Sequence, residues 1–144
     1  MGRKYSIQII CAICALFLFQ NCSSNGPTNK DFVGSWFSSD GATFVFDSNG
    51  KFFADNLVRG TMGFPDDQKN KLKFSGSGEW TLQGKVGNYW EIKLIFDRCD
   101  SLKTGFGTDI LVGGGNGVFS NRSPWYLFMW KEEEGGERYI FKHK

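Results

Sequence analysis

The sequence predicts an all-β domain: a single antiparallel meander barrel or sandwich of about eight strands. Three observations predict it. Aromatic residues make up 17% of the 144-residue chain, and 19 residues are glycine. That pairs side chains suited to a pleated surface with the residue that makes tight turns. Apolar and polar residues alternate over short runs, most clearly where Trp90, Ile92, Leu94 and Phe96 flank Glu91 and Lys93. Such alternation marks a half-buried antiparallel strand. From Cys22 onward no stretch carries a helical period. Between the two closures a barrel is preferred, because it removes exposed strand edges.

The elements follow in order. Residues 33–38 form a first strand, ended by the turn Ser39-Asp40-Gly41. Residues 42–46 place Phe44 and Phe46 on one face, and Asp47-Ser48-Asn49-Gly50 is a hairpin turn leading into 51–54. Residues 55–70 read as a long loop, holding Gly60, Gly63, Pro65 and the pair Asp66-Asp67. Two short strands, 71–74 and 78–82, come next, then a turn over 83–87 and the clear strand 89–96. Residues 97–117 read as loop around a short apolar Ile110-Leu111-Val112. Residues 125–130 are apolar on both faces and belong centrally, and a Glu/Gly-rich turn leads to a last strand with Tyr139 and Phe141 on one side. Gly34-Ser35-Trp36 and Gly78-Glu79-Trp80 form a faint repeat, which reads as a recurrent meander device.

The N-terminus has a different character. Arg3 and Lys4 precede a 13-residue, almost wholly apolar run over 7–19, and polarity then returns abruptly. The run is shorter than the roughly 20 residues that span a bilayer, and it fits the core of a signal peptide. Phe19-Gln20-Asn21-Cys22 resembles a bacterial lipobox, of the relaxed kind found in spirochaetes. The strict pattern has Leu three residues before the cysteine and a small residue just before it; Phe19 and Asn21 stand there. The resemblance implies cleavage before Cys22, lipidation of Cys22 with diacylglycerol and palmitate, and anchoring in the cell envelope, at the outer membrane. The expected organisation is a lipoprotein signal peptide over 1–21, a flexible tether over 22–31 carrying lipidated Cys22, and a β-domain over 32–144.

Cysteine usage agrees with this. Cys11 and Cys14 lie in the apolar run and leave with it, and Cys22 is taken by lipid. Cys99 then remains alone, so no intramolecular disulfide is expected, and with no histidine near it in sequence it reads as inert. Without Arg3 and Lys4, fifteen basic residues balance fifteen acidic ones. A neutral chain offers no electrostatic case for nucleic acid. Lys69, Lys71, Lys73, Lys85 and Lys93 are spread over different elements and read as solvated.

Little in the sequence carries chemistry. His143, the only histidine, sits one residue from the C-terminus, where a catalytic base is poorly held. Asp47 to Gly50 resembles the start of a calcium loop but lacks the later ligands. Asp66-Asp67, and Asp97 with Asp100, read as solvated acids. The glycine run over 113–117 lacks the Lys-Ser/Thr of a phosphate loop, and Asn121-Arg122-Ser123 is followed by Pro124 in a chain whose exporter looks bacterial. No catalytic residue, metal site or cofactor is expected.

Phe32-Val33-Gly34-Ser35-Trp36 resembles the first strand of the lipocalin and fatty-acid-binding group. There a Gly-x-Trp packs at the closed end of an antiparallel barrel, and a basic residue on a late strand covers the tryptophan; Arg138 is the candidate here. The chain departs from the group in having neither a helix pair after the first strand nor a helix after the last. The resemblance implies a calyx, and the aromatic load supplies candidate lining residues: Trp36, Phe44, Phe46, Trp80, Trp90, Trp125 and Phe128. Two functional readings follow. One is a membrane-anchored, non-catalytic protein that binds a small hydrophobic ligand. The other is a surface or envelope module with a solid core that meets a protein partner through the loops over 56–70 and 97–121.

Overall fold

A computed structural model describes residues 26–62, 72–100, 105–115, 123–131 and 136–144. Residues 19–22, which resemble a lipobox, as well as Cys11, Cys14, the Asp66-Asp67 pair and Asn121, lie outside the described residues. Eight strands follow in order: β1 (Gly34–Ser38), β2 (Thr43–Phe46), β3 (Lys51–Val58), β4 (Lys73–Val86), β5 (Tyr89–Cys99), β6 (Phe106–Gly113), β7 (Tyr126–Trp130) and β8 (Arg138–His143). Each pairs antiparallel with the next, and β8 returns to pair with β1. The meander closes into a barrel, so no strand is left as an edge along its whole length.

The strand faces match the alternation read from sequence. Trp36, Phe44, Phe46, Phe52, Trp80, Ile92, Leu94, Phe96 and Phe141 are all buried in one core, while Val45, Phe53, Lys93 and Ile95 stand outside. Four strands are longer than the sequence suggested, β5 by running on to Cys99. The two short strands expected over 71–74 and 78–82 are one 14-residue β4. Ser75-Gly76-Ser77-Gly78 has the composition of a loop, yet it is strand because the sheet is so close there. A Cβ on Gly78 would lie 1.9 Å from the Ile95 carbonyl oxygen, and one on Gly76 2.7 Å from the Phe96 ring. The pairing with β5 slips by one residue between Ser77 and Gly78, a bulge that bends β4 around the core. Likewise β3 runs on to Val58 through a bulge where Asn56 takes φ 56°, and β6 extends from Phe106 to Gly113.

Both ends of the barrel are covered. At the end where β3 leaves the sheet, the 3-10 turn Arg59–Met62 folds inward and buries Met62. At the opposite end the chain before β1 is packed rather than loose. Gly26 lies against the Trp90 ring, Pro27 is buried, and Asp31 accepts from both the amide (2.7 Å) and the hydroxyl (2.8 Å) of Thr28. Phe32 is fully buried against Trp36, whose ring N–H donates to the Phe32 carbonyl at 2.8 Å. The stretch 26–31, expected as tether, is therefore part of the folded domain, because Pro27 and Phe32 have apolar surface to bury and the barrel mouth supplies it.

Candidate functional site

The seven candidate lining residues do not form one surface. Trp36, Phe44, Phe46 and Trp80 are buried inside the barrel, where they meet other rings. Phe44 stacks on Phe46 at 5.6 Å and meets Phe141 edge-on at 5.0 Å. Phe46 meets Trp80 at 5.2 Å, and the Trp80 ring N–H donates to the Asp47 carbonyl at 3.0 Å. A second group, Phe52, Phe74, Phe96 and Phe106, continues the packing, with Phe96 stacked on Phe106 at 4.4 Å. Trp90 and Trp125 are half-buried at the margin of this core.

Phe128 corrects the expectation. It alternates with Leu127 and Met129, which are the inward pair, and so it stands on the outer wall. It is nevertheless fully buried, because an aromatic raft covers it. Tyr89, Tyr126 and Trp130 surround Phe128 with centroid distances of 5.1, 5.8 and 5.4 Å. Arg138 lies among them, its guanidinium carbon 4.6 Å from Phe128, 4.9 Å from Trp130 and 5.7 Å from Tyr89. It donates to the hydroxyls of Tyr126 (3.0 Å) and Tyr89 (3.1 Å). Gly113 makes room for this raft, since a Cβ there would sit 2.2 Å from the Tyr126 ring. Arg138 thus does not cover Trp36: its strand register with Trp130 points it outward. Arg138→Lys loses the planar stacking and one of two fixed donors, and is expected to cost about 1–2 kcal/mol in urea unfolding.

The residue that covers Trp36 is His143. The two are paired across β1 and β8, with ring centroids 4.9 Å apart and nearly perpendicular. His143 is held in a strand, and its Nε2 lies 3.3 Å from the Val33 carbonyl. This explains the glycine two residues before Trp36. Gly34 has φ 125°, and a Cβ would stand 2.7 Å from His143 Nε2. Gly34→Ala is expected to cost about 1–3 kcal/mol, read as a lower unfolding midpoint. The second Gly-x-Trp triplet has a different cause, the approach of β5 at Gly78.

A groove of about 790 Å³ opens at the end of the barrel away from the N-terminal segment. Phe37, Val58 and Ile140 give it apolar walls, and Lys73, Lys131 and Lys142 stand along it. Its polar corner is Ser38, Asp40 and Tyr139, where the Tyr139 phenol donates to Asp40 Oδ1 at 2.6 Å and the Ser38 hydroxyl also donates to Asp40. Burial acts to raise the Asp40 carboxyl, but the hydrogen bonds from Ser38, Tyr139 and the Ala42 amide outweigh it and hold the pKa below the ordinary value. Burial, then the bond to Asp40, pushes the Tyr139 phenol well above its ordinary value. The folded pKa of Asp40 is depressed, so its stabilising contribution is present above the unfolded value of 3.8 and is lost as pH falls through and below it. Asp40→Asn is expected to flatten the acid limb of the stability profile below about pH 4, checked by urea titration across that limb.

Comparison with family models, with curated proteins and with solved structures gives no match to this chain.

Among the described residues no three of His, Cys, Asp and Glu gather as a metal-holding group. Sequence reasoning counts Trp130 in the aromatic load but singles out neither Tyr89 nor Tyr126. The signal was present, since Tyr126, Phe128 and Trp130 share one parity and Leu127 and Met129 the other, but nothing local says which parity faces in. Of the loops proposed for partner contact, the first contributes Val58 and Thr61 to the groove.

Proposed function

We propose that this protein is a lipid-anchored, non-catalytic envelope module with a side-chain-filled barrel, acting through its outer surface on a protein partner. The observation that carries the reading is the interior ring packing. Trp36, Phe44, Phe46, Phe52, Trp80 and Phe96 are each at most 4% exposed and lie within ring-contact distance of other aromatic side chains. Small eight-stranded barrels can be filled by side chains or hold one small ligand, and large rings in mutual contact favour the filled case. The outer features fit such a module. The groove offers apolar walls, lysines and hydroxyls at one end, and beside it Trp130 is 40% exposed on a wall stiffened by Arg138. Exposed aromatic and arginine side chains on a rigid scaffold are the usual anchors of protein recognition.

The test has two arms. The mature chain, extracted from membranes and examined by native mass spectrometry with fluorescent fatty-acid probes, should show its covalent lipid and no bound small molecule. A defined extra mass removed by organic solvent, or stoichiometric probe uptake, would replace this reading with the hydrophobic-carrier one. Cys22→Ser should move the protein from the membrane fraction to the soluble one; unchanged membrane retention would remove the anchor.

A further inference from the structure

We infer that the tip of the β4–β5 hairpin, residues 84–88, is a membrane-contact surface, resting on the headgroups of the bilayer that holds the lipidated Cys22. The inference rests on the anchor proposed above and adds where the domain touches the membrane. Its starting point is the packed N-terminal segment. Gly26 is pinned on the Trp90 ring, so close that a Cβ would be 2.2 Å from it. Cys22 precedes Gly26 by four residues, and four residues span at most about 14 Å when fully extended. The Trp90 end of the barrel is therefore tied close to the bilayer, and it cannot swing away as it would on a long tether.

The hairpin is what that end presents. Trp90 pairs with Lys85, and Val86 with Tyr89, across a turn at Gly87-Asn88. The pairing of β3 with β4 stops at Lys51 and Glu79, so β4 beyond Trp80 runs on with β5 alone and juts past the β2–β3 turn. Residues 83–88 are all exposed. Val86 is 57% exposed, level with Leu72 at 56%. Lys85 stands beside it, and no acidic residue lies between Gln83 and Asn88. An apolar tip with an adjacent lysine and no carboxylate suits an interface of acyl chains, phosphates and anionic lipid. Along β4 the tip is far from the groove, which Lys73 lines at the strand's start, but Arg138 lines the groove too and donates to Tyr89 at the hairpin's base.

Hydrogen exchange of the full lipidated chain tests this, in vesicles of phosphatidylethanolamine and phosphatidylglycerol, after intact mass has established the lipid. The amides of 84–88 should exchange severalfold more slowly in vesicles than in the soluble Cys22→Ser form. Inserting about twenty Gly/Ser residues between Ser24 and Asn25 should remove most of that protection while the protein stays membrane-bound. Val86→Asp, at an exposed site, should do the same without altering exchange in β2. Equal exchange of 84–88 with and without vesicles in lipidated protein would overturn the contact and leave the anchor standing. Protection that survives the insertion and Val86→Asp would also overturn it. A chain with no added lipid mass would overturn the anchor and the contact together.

Discussion

Phe96→Ala is expected to lower stability by roughly 3–5 kcal/mol and to open a pocket that takes up a benzene-sized probe refused by the native barrel. Phe96 is at the centre of the second ring group. It stacks on Phe106 at 4.4 Å with planes 8° apart, meets Phe52 edge-on at 4.8 Å and tilts against Phe74 at 5.9 Å. It is 1% exposed. Removing the ring loses both its transfer from water and its contacts, and bulky neighbours on paired strands collapse only partly into the gap. The melting temperature should fall by roughly 10–25 °C in a domain of this size. The probe gives the experiment its functional meaning. If the native protein takes up the probe as well as the variant does, the barrel already holds a cavity, and the case for a module working through its surface fails with it.

Gly78→Val is expected to cost more than about 4 kcal/mol, enough to leave little folded protein, read as lost soluble yield and absent cooperative unfolding. The obstacle is backbone. A Cβ on Gly78 meets the Ile95 carbonyl oxygen at 1.9 Å and its carbon at 2.8 Å. Neither can swing aside as a side-chain end could. Gly78 also stands between Phe52 on β3 and Phe96 on β5, just past the slip in register, so relief would require parting strands on both sides. Gly84→Ala is the internal control. It lies on the same strand, nothing comes within 4 Å of its Cβ position, and the change should stay within about 0.5 kcal/mol of the native protein. A full-sized loss at Gly84 would mean that β4 tolerates no Cβ for reasons of backbone conformation rather than crowding.

The sites of these two predictions show what local sequence can and cannot express. Phe96 as an inward residue follows from the alternation Trp90, Ile92, Leu94, Phe96. That pattern is a property of one strand, and one buried face suffices to produce it. Gly78 as part of a strand does not follow, because glycine's weakness as a strand former is local while its necessity comes from a carbonyl on β5. The same division holds at the chain ends. His143 looks like a loose terminal residue until β8 is laid against β1, when it becomes the cover over Trp36. Gly26 looks like tether until the barrel mouth brings Trp90 to it.

What the sequence determined by itself is the all-β class, a strand count of about eight, the hairpins at Asp47–Gly50 and before Tyr89, and the inward parity of most strands. All of these depend on neighbours in the chain and on whether one face must leave water. Tertiary structure bore out the barrel over the sandwich by pairing β8 with β1, and it alone decided that Phe128 and Arg138 belong to the outer wall and that Gly26 and Pro27 pack at an end. Those outcomes depend on which backbones approach across the sheet and on which of two apolar faces finds the larger surface to bury, and neither quantity exists until the barrel has closed.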